Sequence, residues 1–127
     1  MLQGIQTMEV SQMTNQLFIN NEFVESKSND TMEVINPATG EAFDTITFAT
    51  EEEVNEAIEK SKHAQLEWEK VPAPTRAEHV KLLIPLLEQN KDELAKLYVK
   101  EQGKTLAQAE GEIDKAVQFI DYMTSLS

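Results

Sequence analysis

The sequence contains no cysteine. Without a thiol there is no disulfide framework, no thiolate nucleophile and no Cys-based zinc site. Basic residues are scarce: 11 Lys and Arg stand against 23 Asp and Glu, a formal net charge of −12. Such a field repels nucleic-acid phosphates and anionic membrane surfaces, so neither is expected as a partner. No run approaches the roughly 18 consecutive apolar residues of a membrane span. Residues 1–16 carry no Lys or Arg, have no continuous apolar stretch and contain Glu9, which is not a signal-peptide pattern. They read as a poorly ordered leader.

The glycines are only four, Gly4, Gly40, Gly103 and Gly111, and none builds a G-x-G-x-x-G or P-loop pattern. Gly103-Lys104-Thr105 has the look of a P-loop tail but lacks the earlier glycine; a helix stop followed by a helix start explains it. Histidines number two, His63 and His79. Their separation fits no zinc motif, and both read as ordinary surface or boundary residues. Glu67 with Glu69 and Glu110 with Glu112 are each two apart, so on a helix their side chains diverge and make no ready acid/base couple. Trp68, the single tryptophan, reads as a core or interface anchor. Physical chemistry alone finds no self-contained active site.

What is present suits one globular domain: 127 residues, 40% hydrophobic and 27% charged. The first half has strand character. Leu17-Phe18-Ile19 and Phe23-Val24 flank Asn20-Asn21, a pair suited to a type I′ hairpin turn. Met32 to Ile35 leads into Asn36-Pro37-Ala38-Thr39-Gly40, after which Ala42 to Phe48 alternates, with Phe43, Thr45 and Thr47 on one side. Two hairpins are expected, linked through Ser26 to Asp30. From Thr50 the period becomes helical. Thr50 and Glu53 form a capping box, and Val54, Ala57, Ile58, Ser61, Gln65 and Trp68 share a face.

Thr75 is the next expected N-cap, followed by Val80, Leu83, Ile84 and Leu87. Pro85 inside that pattern predicts a kink or a break into two short helices. A helix over 92–102 should end at Gly103, with Leu94, Ala95, Leu97 and Tyr98 inward. Thr105 and Gln108 should cap a last helix carrying Leu106, Ala109, Ile113, Ala116, Val117, Ile120 and Met123. That stripe runs almost to Ser127, which suggests more protein beyond it. Two hairpins and about four helices make an α+β order of elements. The acidic excess lies mostly in the first 70 residues and reads as a solvated face.

The string itself resembles a known family. Leu17-Phe18-Ile19-Asn20-Asn21-Glu22-Phe23-Val24 resembles the opening hairpin of the aldehyde dehydrogenase superfamily, and Val34-Ile35-Asn36-Pro37-Ala38-Thr39-Gly40-Glu41 its "NPATGE" turn. Val54, Ala57, Trp68, Arg76, Glu93-Leu94-Ala95 and Glu101-Gln102-Gly103-Lys104 follow in matching order. The likeness spans residues 17–126. Ala64-Gln65-Leu66-Glu67-Trp68 and Phe119-Ile120-Asp121-Tyr122-Met123 look most like the lactaldehyde and glycolaldehyde dehydrogenase branch.

The resemblance implies an amino-terminal portion, over residues 17–127, of a cytoplasmic enzyme of α/β fold that oxidises an aldehyde to a carboxylic acid with NAD or NADP. The family's thiolate, glutamate base, oxyanion-hole Asn and cofactor loop lie in segments after this one, so no catalytic or cofactor-binding residue is assigned here, and the segment itself is expected to be inert. The resemblance also implies a monovalent cation site, for Na⁺ or K⁺, using the Val34 and Ile35 carbonyls and the Glu101 carboxylate. Expected partners are the remaining catalytic and Rossmann segments, together with self-association through exposed apolar faces. The alternative is a stand-alone acidic protein-interaction module that reuses this scaffold.

Overall fold

The computed structural model describes residues 16–127, arranged as two hairpins followed by five helices. The expected α+β order is what it shows. The leader expected over 1–16 lies outside the described residues except for Gln16, which opens the first strand. Strands β1 (Gln16–Ile19) and β2 (Glu22–Glu25) pair antiparallel, with Leu17 opposite Val24 and Phe18 opposite Phe23. Asn20 and Asn21 take φ of 52° and 65°, the left-handed pair that lets a two-residue turn follow the strands' twist. The Phe18 and Phe23 rings lie 4.9 Å apart across the ladder, a cross-strand aromatic pair.

Strands β3 (Thr31–Ile35) and β4 (Ala42–Thr47) form the second hairpin. Here the expected strict alternation is interrupted. The ladder steps from Val34 opposite Asp44 to Ile35 opposite Ala42, leaving Phe43 as the extra residue of a bulge. Asn36 closes the turn: its N–H donates to the Glu41 carbonyl at 2.9 Å, and its Oδ1 accepts from the Ala38 N–H at 3.0 Å. Gly40 completes it at φ 74°.

Helix α1 (Glu51–Trp68) starts with three acids in its first turn, where the positive end of the helix dipole favours them. Helices α2 (Ala73–Lys81) and α3 (Leu83–Gln89) are the expected helix broken in two. The break falls at Leu82, whose N–H turns back to His79 at 3.2 Å. Pro85 sits three residues later, inside the first turn of α3, where a missing N–H is harmless; a continuous helix would have needed that N–H for the Lys81 carbonyl. The start of α2 differs from expectation. Pro72, extended at ψ 142°, is the N-cap and Pro74 lies in the first turn, so prolines begin this helix and Thr75 is already inside it.

Helix α4 (Lys91–Gln102) ends at Gly103, which is left-handed at φ 68°. Thr105 then starts α5 (Leu106–Ser125) with a capping box to Gln108. Gly103-Lys104-Thr105 is thus a stop followed by a start. None of the helices among the described residues is long and apolar enough to cross a membrane.

The chain divides into two compact units. One holds residues 16–35 and 42–64. The other holds Asn36–Glu41 and Gln65–Ser127 and contains the core. Ala95 and Ala109 are fully buried and Ile113 nearly so, with Leu87, Leu94, Tyr98 and Val99 packed around them. Alanine at the α4–α5 contact lets the two helix backbones approach closely. The expected inward faces of α4 and the middle of α5 hold. The shared face of α1 is largely open: Val54, Ile58 and Trp68 are 46%, 54% and 42% exposed.

Candidate functional site

In the first unit the polar structure converges on Glu53. Its own N–H donates to Thr50 Oγ1 at 3.2 Å, while its Oε2 accepts from the Thr50 N–H at 2.8 Å. This is the expected capping box. The same carboxylate does more: Oε1 accepts from the Lys27 N–H at 2.8 Å and Oε2 from Ser26 Oγ at 2.7 Å. Ser26 Oγ also lies 2.7 Å from the Phe48 carbonyl, and it accepts from the Ser28 N–H at 3.1 Å. The β2–β3 link is therefore fastened to the start of α1 through one buried acid.

Those donors set the charge of Glu53. The Thr50 and Lys27 N–H groups, then the Ser26 hydroxyl, lower its pKa from 4.5 to about 2 against the opposing effect of burial. A carboxylate so weakly basic, with its oxygens occupied, is no general base near neutrality. Beside it opens a cleft of about 240 Å³, lined among others by Ile19, Asn20, Val24, Lys27, Glu56 and Lys60. Lys60 is tied to Glu56 at 2.7 Å, and its ammonium holds the Glu56 carboxyl below the usual range. The cleft presents one ion pair, Glu56 with Lys60, and no Ser, Thr, Cys or His side chain lines it.

In the second unit Lys104 is the central polar group. Its Nζ is 2.8 Å from Glu112 Oε1 and 3.4 Å from the Tyr98 hydroxyl, and it stands 4.8 Å over the Tyr98 ring. The Glu112 hydrogen bond leads in raising the Lys104 pKa, and Lys104 in turn lowers that of Glu112. A lysine held protonated is neither base nor nucleophile; it clamps α4 to α5. Lys91 does the same with Asp114 at 2.6 Å.

The sequence-selected residues fall into these units separately. Val34 and Ile35 close β3 at the bulge, in the first unit; Glu101 is an exposed residue in the last turn of α4, in the second. Two main-chain oxygens and one hydrated carboxylate are the hard oxygen donors that Na⁺ or K⁺ accepts. Among the described residues no group of three or more His, Cys, Asp or Glu is placed to hold a metal ion. His63 lies on α1, while His79 lies on α2 with Nδ1 2.8 Å from the Thr75 carbonyl and its ring edge-on to Trp68 at 5.7 Å. Glu67 and Glu112 are each engaged with a lysine, Lys70 and Lys104.

The three described glycines do not fit a dinucleotide. A Cβ on Gly103 would come within 2.8 Å of Pro37 Cγ, so the space this glycine frees is filled by the protein's own turn. Gly40 and Gly111 face open space. Among the described residues no glycine-rich strand–helix turn cradles a pyrophosphate.

Comparison with known proteins places this arrangement. The model of the aldehyde dehydrogenase family matches residues 23–127. A malonate-semialdehyde dehydrogenase of Bacillus cereus is 39% identical over 119 residues, covering 94% of this chain and 24% of that protein. A betaine aldehyde dehydrogenase point mutant from Staphylococcus aureus, solved with NAD⁺, superposes with a TM-score of 0.83 at 27% identity, over 91% of this chain and 24% of that one. An NAD-dependent benzaldehyde dehydrogenase from Corynebacterium glutamicum gives 0.82 at 29% identity, over 90% and 25%. The chain thus spans about a quarter of the length of the relatives it matches.

Proposed function

The chain belongs to the aldehyde dehydrogenase family, and on that premise we propose that it is the amino-terminal structural portion of a cytoplasmic, NAD(P)-dependent enzyme that oxidises an aldehyde to a carboxylic acid. The observation that carries this is the collinear family match over 23–127 in a chain with no thiol. The family's chemistry needs a sulfur nucleophile; this segment supplies the hairpins and helices that frame it. NAD is the cofactor named for the S. aureus and C. glutamicum structures, and it belongs in this reading to the parent enzyme.

The purified chain should form no NADH from aldehyde and NAD⁺, and light scattering at high concentration should show a dimer or larger. The association follows from exposed apolar side chains such as Phe119, Tyr122 and Leu126, which are 64%, 62% and 65% accessible. Aldehyde-dependent NADH formation that co-purifies with the chain would sink the structural reading, and a strict monomer the association. A stand-alone interaction module would share both the inactivity and the exposed faces. It is distinguished by a natural reading frame that stops at Ser127 rather than continuing into a Cys-bearing segment.

The cation at Val34, Ile35 and Glu101 is proposed on the family resemblance and this oxygen donor set. Its check is a higher melting temperature in Na⁺ or K⁺ than in choline at equal ionic strength; equal melting would remove it.

A further inference from the structure

We propose that α1 is the contact surface for a second copy of this chain, the two helices packing antiparallel about a two-fold axis beside Ala57. This rests on the self-association proposed above and gives it a surface on a different helix from the α5 side chains named there. Only one residue of α1 is buried, and it is the acid Glu53. The apolar face of the helix is left uncovered: Val54 and Ile58, one turn apart, are 46% and 54% exposed, and Ser61 follows them in the open. A lone helix of this length is marginal in water and takes most of its stability from a packed face. Ala57 flanks that face and is small enough to let a second helix come close.

Charge selects the occupant and its direction. Helix α1 carries six Glu and two Lys, so a second copy is repelled unless its lysines meet those acids. Glu51 and Lys62 lie on one flank of the apolar face, because eleven residues bring a helix round to nearly the same azimuth about three turns on. In an antiparallel pair the same flanks of the two helices face each other. A register that sets Val54 of one copy against Ile58 of the other therefore sets Glu51 against Lys62 as well, twice by symmetry. The apolar and the charged pairings call for the same axis. A parallel pair would instead stack Glu51, Glu52 and Glu53 on their own copies and align the two helix dipoles. Within its own helix Lys62 is 3.7 Å from Glu59, with both side chains at least 70% exposed, a pair too weak to hold it back. A basic peptide would suit Glu51 but set like charge against Lys62; a second copy suits both.

Charge reversal tests this without touching the apolar residues. Glu51→Lys and Lys62→Glu each set like charges against each other at both contacts, so either variant alone should self-associate about tenfold more weakly than the wild type. Mixed in equal amounts, they restore opposite charges at both contacts and should recover wild-type association in sedimentation equilibrium. Variants that associate like the wild type, or a mixture no tighter than its components, overturn the proposal while leaving self-association through another face standing. A monomeric wild type overturns both. Because the chain has no cysteine, a second probe needs no charge change. A nitroxide on Asn55→Cys, near the axis, should show dipolar broadening that vanishes on dilution with unlabelled chain, since packed helix axes lie about 8–10 Å apart. An unbroadened spectrum at the concentration where the wild type associates overturns the pairing even if a charge variant misfolds. None of these readouts involves aldehyde or NAD⁺, so a negative result here leaves the structural-segment reading standing.

Discussion

Glu53→Gln should lower the melting temperature of the hairpin unit by about 5 °C or more and flatten its acid unfolding limb. The carboxylate accepts from Thr50, Lys27 and Ser26 at 2.7–2.8 Å. A glutamine must turn its amide NH₂ toward at least one of those donors, setting N–H against a donor and leaving both unpaired. The sign of the pH effect follows from the depressed pKa. Glu53 titrates at 4.5 in an unfolded reference and at about 2 when folded. Its contribution to stability is therefore fully present above pH 4.5 and is lost as pH falls through about 2. Circular dichroism followed from pH 6 to about 2 should show a wild-type limb in that window and a shallower one in the variant. A variant with the wild-type pH profile would mean that Glu53 does not fasten the β2–β3 link.

Gly103→Ala should destabilise the helical unit by about 2–4 kcal/mol, the sum of a left-handed non-glycine residue and an overpacked contact. At φ 68° any side chain is disfavoured, and here a Cβ would stand 2.8 Å from Pro37 Cγ. Gly40→Ala is the built-in control. It has nearly the same φ, 74°, but a Cβ there meets nothing within 4 Å, so only the backbone cost of about 1–2 kcal/mol should appear. Adding Pro37→Ala to Gly103→Ala should recover the steric share. Urea denaturation of these variants and of Pro37→Ala alone reads the coupling between positions 37 and 103. Equal costs for Gly40→Ala and Gly103→Ala would remove the steric part of this account.

These two sites also mark how far the sequence could be read. The Thr50–Glu53 capping box, the Asn20-Asn21 turn and the Gly103–Thr105 stop and start are local signatures, set by neighbours three or four residues away, and each is found where expected. The Ser26 and Lys27 donors to Glu53 are not local, and no short-range pattern announces them. Likewise the "NPATG" turn and the "QGK" helix end were each legible, but not that Pro37 fills the space Gly103 leaves. The proline break was expected near Pro85 and falls at Leu82, because the clash and the lost hydrogen bond act one turn upstream of the ring. The apolar stripe of α1 was legible as a pattern but its exposure was not; periodicity locates a face, while its covering depends on what is packed there.

Trp68 is the sole indole in the chain and belongs, with His79, to the helical unit. Its emission is accordingly a one-sided optical probe. Loosening around Gly103 would register in it, whereas fraying of the two hairpins, whose described rings are all phenylalanine, would pass unseen. A fluorescence melt and a far-ultraviolet melt of the same sample thus monitor different portions of the polypeptide, and a gap between their midpoints would measure how independently those portions come apart.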